Sequence, residues 1–285
     1  MYTFSHKRKA PSLEGPLKKV ERATEHIEDL KTQLSSFLEP WGYEVKHYFE
    51  GDPPFFVVKV GEGHFPPVVP DDFSLLAGEA IYQLRTALDH LIVELIRANK
   101  QEPCRENMWP VLCKKNAKSL KIKTQGVSQT AFKRIESFQP HSCGTSYKEH
   151  PLWALNKFSN WDKHNFLIRT FLARFEGFNV EWSDGPGETR AFGLAATGIK
   201  PGDEYRFGPK TGLRPGMKVK VESKPKMMLE DVTMSGFPGF PLHFLTSQPS
   251  PTELPDPSDT VTPILFHLSE EVRMVICSFR GEFFH

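Results

Sequence analysis

The sequence predicts an α+β protein: an N-terminal helical bundle with a small β-hairpin, followed by an antiparallel β region and a C-terminal helix. Three observations support this fold class. Apolar residues recur at helical spacing in several stretches before residue 176. After residue 176, short β-rich runs alternate with Gly and Pro, which favours strands and turns. The last stretch of the chain returns to helical spacing.

The composition predicts a soluble, globular, cytoplasmic protein. The chain has 285 residues, of which 39% are apolar and 25% are charged, and its formal net charge is +1. This balance argues against a strong overall attraction to nucleic acid or anionic membranes, but it allows a local basic patch. No run approaches the roughly 20 apolar residues of a membrane span, and no apolar core follows the basic N-terminus as in a secretion signal. The four cysteines match no zinc spacing, so we expect reduced thiols.

The first predicted domain is the helical bundle at residues 15–176, preceded by a disordered lead-in at 1–14. Residues 15–38 carry apolar side chains at helical spacing and predict an amphipathic helix. Two β-rich runs, YEVKHYFE and FFVVKVGE, then flank a Gly-Asp-Pro-Pro turn. These runs predict a hairpin at 43–62.

A long central helix is predicted from Asp71 to about Lys100. Its apolar positions cover most of its circumference, so it should lie in the middle of the bundle: Leu76, Ile81, Leu84, Leu88, Leu91, Ile92, Leu95 and Ile96. A short basic helix follows near KKNAKSLKIK, within an otherwise loop-like stretch. Two more helices are predicted, from Ser128 to Phe138 and from His150 to Phe175.

The second predicted domain, at residues 177–285, contains an antiparallel β region and the closing helix. Strand-like runs separated by Gly and Pro are GFNVEWSD, TRAFGLAA, DEYRFG, KVKVESK and MMLEDVTM. A Pro-rich loop spans 248–258. Apolar spacing after Ser269, the predicted N-cap, then indicates a closing helix at 269–284.

The first candidate site is a polar cluster in the apolar central helix, formed by Arg85, Asp89 and His90. Arg85 and Asp89 are four residues apart and share one face, within an apolar stripe that includes Ile81 and Ile92. Charged groups are costly to bury unless they are paired or hydrogen-bonded. His90 lies about 100° further round the helix, where it can reach a neighbouring helix.

The second candidate site is the cluster Asp162, Lys163 and His164 in the later helix. Asp162 takes the place of an apolar residue at a core-facing position. Two segments that each accept the cost of buried charge are expected to meet, and Asp162 can then pair with Arg85 or orient His90. A carboxylate beside an imidazole sets its tautomer and raises its pKa, which suits general acid–base catalysis.

These clusters leave three interpretations open. They can form a buried Arg–Asp–His network that fixes the helix register, or a catalytic or ligand-binding site. They can also form a metal site, and the residues available for it are His90, Asp89, Asp162 and His164. Neither cluster contains Glu-x-x-His or His-x-x-x-His, so we predict no metal and no cofactor.

A basic run provides a further candidate surface. It contains Lys114, Lys115, Lys118, Lys121 and Lys123, and it is either a solvated face or a contact for a phosphate backbone. Lys133 and Arg134 can extend it. We predict RNA as the partner of this surface if it binds nucleic acid.

At these motifs the chain resembles a widespread family of uncharacterised bacterial proteins. The matching blocks are QLRTALDHLIVEL, a WPV segment, IESFQPH and LNKFSNWDKHNFL, which lie within roughly residues 72–170. Those proteins carry an LRxALDHL helix, an FPI-like segment, a QPY-like helix end and a helix containing DKHR. Here Asn165 stands where Arg usually follows the DKH triplet.

The spacing of Arg85 and His90 is also similar to the Arg-x4-His motif of HEPN domains, which are helical bundles and often dimers. The resemblance implies a metal-independent ribonuclease or RNA-binding protein of a bacterial defence or stress system. It also implies a homodimer, because the Arg and His of two protomers converge at the dimer cleft in such domains. His90 would then act as general base or acid on a ribose 2′-hydroxyl, and Arg85 would stabilise charge on the phosphate.

The remaining candidates receive supporting roles under this hypothesis. Asp162 or Asp89 would orient His90, Lys163 would assist phosphate binding, and His164 completes the candidate set. Two alternatives stand beside it. One is a non-catalytic ligand-binding or interaction module with a structural Arg–Asp–His network. The other is a metal-dependent hydrolase.

Overall fold

The fold has the predicted order of a helical bundle with a hairpin, a β region and a closing helix. The computed structural model describes residues 10–64, 69–164, 170–173, 177–183, 189–195, 200–223, 226–229 and 261–284. The predicted α+β class is therefore confirmed.

Four of the helices lie close to their predicted positions, and the last two have bounds that differ from the prediction. Their bounds are α1 Glu14–Leu38, α2 Asp71–Ala98, α3 Ala117–Lys123, α4 Gln129–Ser137, α5 Pro151–His164 and α6 Val261–Cys277, with a 3-10 segment at Pro140–Glu149. Helix α2 is central and contacts α1, α5 and α6. The apolar faces of these helices meet in one core, in which α1 contributes Val20, Ile27, Leu30 and Leu34.

The strands form three antiparallel sheets in the described part of the chain. Their bounds are β1 Gly42–Glu50, β2 Phe55–His64, β3 Thr170–Ala173, β4 Gly177–Ser183, β5 Thr189–Ala195, β6 Glu204–Phe207, β7 Lys218–Glu222 and β8 Lys226–Leu229. The sheet orders are β1-β2-β6, β3-β8 and β5-β4-β7. The hairpin is thus confirmed, and β2 pairs with β6 from the later β region.

The two three-stranded sheets share a second apolar core. It includes Phe56 and Val58 from β2 together with Val180 and Trp182 from β4. The backbone N–H of Tyr43 donates to the carbonyl of Ser223 at 3.2 Å, which brings the start of β1 to the end of β7. The hairpin therefore packs with strands that are distant in sequence.

The predicted helix from His150 to Phe175 is wrong at its C-terminal end. Helix α5 ends at His164, and Thr170–Ala173 forms β3, which pairs with β8. The sequence IRTFLARF is apolar and rich in β-formers, and a short apolar run does not distinguish helix from strand by periodicity. Pairing with a distant strand decides the conformation of Thr170–Ala173.

The predicted bounds of the closing helix, 269–284, are also wrong. Helix α6 begins at Val261 and ends at Cys277. Ser269 is buried inside the helix rather than at its N-cap, and its Oγ lies 3.2 Å from Oγ1 of Thr24 on α1. The earlier start is possible because a proline is tolerated in the first helical turn, where Pro263 lies.

The end of the chain after α6 is fixed by Arg134 on α4. Its Nη1 donates to the carbonyl of Ser278 at 2.6 Å, and its Nη2 pairs with Glu282. Its guanidinium carbon lies 5.5 Å from the ring centroid of Phe279 and 5.2 Å from that of Phe283. Charge, hydrogen bonding and cation–π contact thus join α4 to the C-terminal turn.

Of the predicted disordered lead-in at 1–14, residues 1–9 lie outside the described residues. The residues just before α1 pack on the bundle: Leu13 is buried, and the backbone N–H of Ser12 donates to Oε2 of Glu94 at 3.0 Å. Among the helices that the structure describes, none has the length and apolar character needed to cross a lipid bilayer.

Candidate functional site

Arg85 and Asp89 hold the backbone of Trp109 between them. Nη2 of Arg85 donates to the carbonyl oxygen of Trp109 at 2.7 Å, and the Trp109 N–H donates to Oδ1 of Asp89 at 2.8 Å. The same Nη2 and Oδ1 atoms lie 3.2 Å apart, so the predicted i,i+4 ion pair is present. We call this arrangement the Trp109 clamp, because two side chains satisfy both backbone polar groups of one residue.

The clamp anchors a large side chain in the core of the bundle. The indole of Trp109 is fully buried, with its ring centroid 6.5 Å from that of Phe138 and 6.4 Å from that of Phe279. Nη1 of Arg85 and Nε1 of Trp109 are buried and have no hydrogen-bond partner among the described residues. The guanidinium is therefore bound on one side only.

Burial dominates the electrostatics of the clamp. The Arg85 side chain is 8% exposed, whereas that of Asp89 is 32% exposed. Burial lowers the pKa of Arg85, and the Asp89 carboxylate opposes this shift. An arginine keeps its charge at neutral pH even so. The structure thus contains a buried cation whose acceptors are one carboxylate and one backbone carbonyl.

The clamp also positions the C-terminal end of α3. The N–H of Met108, the residue before Trp109, donates to the carbonyl of Lys123 at 3.2 Å. The side-chain amide of Asn107 donates to Gln125 O at 3.0 Å. Burial lowers the pKa of Lys123, the charge of Arg85 lowers it further, and Asp89 opposes both.

His90 lies on the surface of α2, next to the clamp. Its side chain is exposed, and within the described part of the chain it forms no hydrogen bond or ion pair. Oδ1 of Asp89 accepts a hydrogen bond from the Trp109 N–H and forms the ion pair with Arg85. The carboxylate nearest to His90 in sequence is therefore used by the clamp.

The second cluster forms the last turn of α5, which packs against α2. The side chains of Asp162, Lys163 and His164 lie outside the described part of the structure. The predicted meeting of the two clusters therefore stays a prediction.

Four lysines of the basic run point into solvent. Lys114, Lys115, Lys118 and Lys121 are exposed, and none of them forms an ion pair with an acidic residue that the structure describes. Helix α3 begins at an Asn116 cap, whose Oδ1 accepts from the N–H of Ser119 at 3.0 Å. Arg134, a predicted extension of this surface, is instead occupied by the C-terminal turn.

No three His, Cys, Asp or Glu side chains in the described ranges come together in a way that could hold a metal ion. Of the four residues of the predicted metal site, the structure describes the side chains of His90 and Asp89 but not those of Asp162 and His164.

Sequence analysis missed Trp109 as a member of the site. It lies just before the short basic helix, in the stretch that the sequence predicts to be loop-like. The apolar run WPVL inside this polar stretch could have indicated it, because a large aromatic side chain in a loop is usually packed against the protein core. What it packs on, and which side chains bind its backbone, depends on the tertiary structure.

Comparison of the chain with family models, with curated proteins and with solved structures finds no match. The two resemblances drawn from short motifs therefore stay predictions.

Another titratable group, His150, supports the start of α5. Its Nδ1 accepts a hydrogen bond from the backbone N–H of Leu152 at 3.2 Å. Only an unprotonated Nδ1 can accept, so this contact needs the neutral imidazole. Burial lowers the pKa of His150, and burial also lowers that of His267 on α6.

We predict that replacing Asp89 by Ala destabilises the protein by about 2–4 kcal/mol, because it leaves the buried Arg85 guanidinium without its carboxylate. Asp89→Asn keeps an acceptor for the Trp109 N–H and should cost less. Urea unfolding at neutral pH measures both. Arg22→Met is a matched control, since Arg22 makes an exposed i,i+3 pair with Glu25 and its loss should cost under about 1 kcal/mol. Equal stability of Asp89→Ala and wild type would contradict a structural clamp.

We predict that stability falls as the pH drops below about 6.5, the ordinary pKa of histidine. Both His150 and His267 have lowered pKa values in the folded state. The unfolded chain therefore binds protons before the folded chain does, and the loss ends below the folded pKa values. Glu271, whose pKa is raised by burial, acts with the opposite sign.

The measurement compares the free energy of unfolding at pH 7.5 and 5.5 in wild type and in the double variant His150→Asn, His267→Asn. Asparagine at position 150 keeps an acceptor but does not titrate. The double variant should lose less stability on acidification than wild type. An identical loss in both proteins would rule out these two histidines as the cause.

Proposed function

We propose that this chain is a non-catalytic RNA-binding module, in which the lysines on and beside α3 contact the phosphate backbone and the Trp109 clamp is structural. The proposal rests on the observation that Arg85 and Asp89, the two charged groups of the clamp, both bind the backbone of Trp109. That residue belongs to the segment that also holds the end of α3. The clamp therefore supports the basic surface.

The charge of this surface is local. The chain as a whole carries a formal net charge of +1, yet Lys114, Lys115, Lys118 and Lys121 are exposed without described acidic partners. Lysines of this kind bind phosphates without reading sequence, and they make binding strongly dependent on salt. Such a surface suits a partner that presents regularly spaced phosphates.

The surface is also held in place at both ends. Asn116 caps the start of α3, and the side-chain amide of Asn107 and the N–H of Met108 bind carbonyl groups at its end. A surface that is already ordered loses less conformational entropy when it binds. This supports a role for α3 as a binding element rather than as a simple connection.

We predict that replacing Lys114, Lys115, Lys118 and Lys121 together by Glu weakens RNA binding by at least about tenfold at 50 mM salt. It should also flatten the salt dependence, since each lost contact removes roughly 0.7 from the slope of log K against log salt for a single strand. Fluorescence anisotropy with a labelled single-stranded 20-mer RNA measures both quantities.

Two control proteins separate this surface from charge in general. The matching quadruple Lys→Arg variant keeps the charges and should bind as wild type does. The variant Lys31→Glu, Lys46→Glu changes exposed lysines on α1 and β1 and should bind normally. If wild-type protein does not bind the RNA, or if the quadruple Glu variant binds equally well, the proposal fails.

Metal-independent RNA cleavage is a second proposal, favoured by one observation. His90 is exposed beside the clamp, so it is open to an RNA on this side of α2. In this alternative His90 is the general acid or base, as the HEPN resemblance implies. The homodimer and the role in bacterial defence or stress belong to the same resemblance.

For this alternative we predict RNA cleavage in the presence of EDTA, with a rate at least about 100-fold lower in His90→Ala. The fold should be unchanged, because His90 is exposed and makes no described contact. His47→Ala, which changes an exposed histidine on β1, is the matched control. Absence of cleavage by wild type, or equal rates in wild type and His90→Ala, would exclude cleavage by this route.

A further inference from the structure

Lys123 differs from the other lysines of the basic run. It is the last residue of α3 and is half-buried, whereas Lys114, Lys115, Lys118 and Lys121 are exposed. Its backbone carbonyl accepts from the N–H of Met108 at 3.2 Å. Lys123 therefore lies where α3 meets the segment that the clamp holds on α2.

The electrostatics at Lys123 disfavour its charged form. Burial and the Arg85 guanidinium lower the pKa of Lys123, and the Asp89 carboxylate opposes this shift. Oδ1 of that carboxylate is already bound by Trp109 and Arg85. Lys123 itself forms no side-chain hydrogen bond or ion pair with the residues that the structure describes. An added anion would offset the repulsion between the two cations.

We propose that Lys123 is the principal phosphate-binding residue of this surface and holds one backbone phosphate of the RNA at the junction of α3 and α2. This inference rests on the proposed RNA-binding function and deepens it. The exposed lysines then contribute weaker contacts along the strand.

Partial desolvation makes this contact stronger than that of an exposed lysine. An ammonium that has already lost part of its hydration gives up less water on binding, and its attraction to a phosphate is screened less. The backbone of Lys123 is fixed by Met108, so less freedom is lost on binding. Charge-assisted hydrogen bonds are also roughly twice as strong as neutral ones.

The test compares two lysines of the same helix by replacing each with methionine, which keeps much of the apolar stem but removes the charge. With the single-stranded 20-mer RNA as probe, Lys123→Met should raise the Kd about tenfold and reduce the salt slope by roughly 0.7. Lys121→Met should raise the Kd only about two- to threefold. Lys123→Arg keeps the charge and should retain most of the affinity.

The outcomes separate this inference from the proposed function. If wild type fails to bind the RNA, the proposed function fails. If wild type binds and the quadruple Glu variant does not, but Lys123→Met has no larger effect than Lys121→Met, only the role of Lys123 is overturned.

Thermal unfolding separates binding from a structural role of Lys123. The melting temperature of Lys123→Met should stay near that of wild type, because its ammonium has no described partner to lose. A lowered melting temperature with normal RNA affinity would assign Lys123 a structural role and overturn the inference. Should Lys123→Met fail to fold, Lys123→Gln, which keeps a polar end group, is measured in its place against Lys121→Gln.

Discussion

The buried guanidinium of Arg85 is the constraint on which the middle of the molecule depends. A cation at this depth must be given acceptors, and it has two: the carboxylate of Asp89 and the carbonyl of Trp109. Trp109 in turn contacts Phe138 and Phe279, which lie at the ends of α4 and α6. The charge of Arg85 on the central helix therefore fixes the segment before α3. Through the indole of Trp109, it also influences the packing of α4 and α6.

The segment that contains Trp109 is also fixed by hydrogen bonds further along the chain. The N–H of Leu112 donates to Oε1 of Gln139 at 3.1 Å, and its carbonyl accepts from the N–H of His141 at 2.9 Å. A stretch with little secondary structure of its own is thus bound to α2 on one side and to the end of α4 on the other. Its backbone groups find partners in side chains and turns, which is how an irregular buried segment avoids unsatisfied polar groups.

This geometry changes how the helix motif is interpreted. An Arg and a His five residues apart suggest a pair that acts together, but the structure gives them different surroundings. Arg85 is buried and bound to a backbone, whereas His90 is exposed to solvent. The Arg-x4-His motif has only two fixed positions. A helix that uses an arginine for packing can therefore match it by chance. On α3, whose end the same segment holds, Lys118 and Lys121 are exposed to solvent.

Local patterns in the sequence determined the elements of this protein, and long-range contacts decided how they are used. Helices α1 and α2, the hairpin and the Arg85–Asp89 pair were predictable because helical spacing, β alternation and i,i+4 contact all act over a few residues. The role of Trp109, the strand β3 and the start of α6 were not. Trp109 is 20 residues from Asp89 and 24 from Arg85, β3 pairs with the distant β8, and Ser269 of α6 contacts Thr24 of α1. Such contacts depend on which surfaces meet, and only the packed chain decides that.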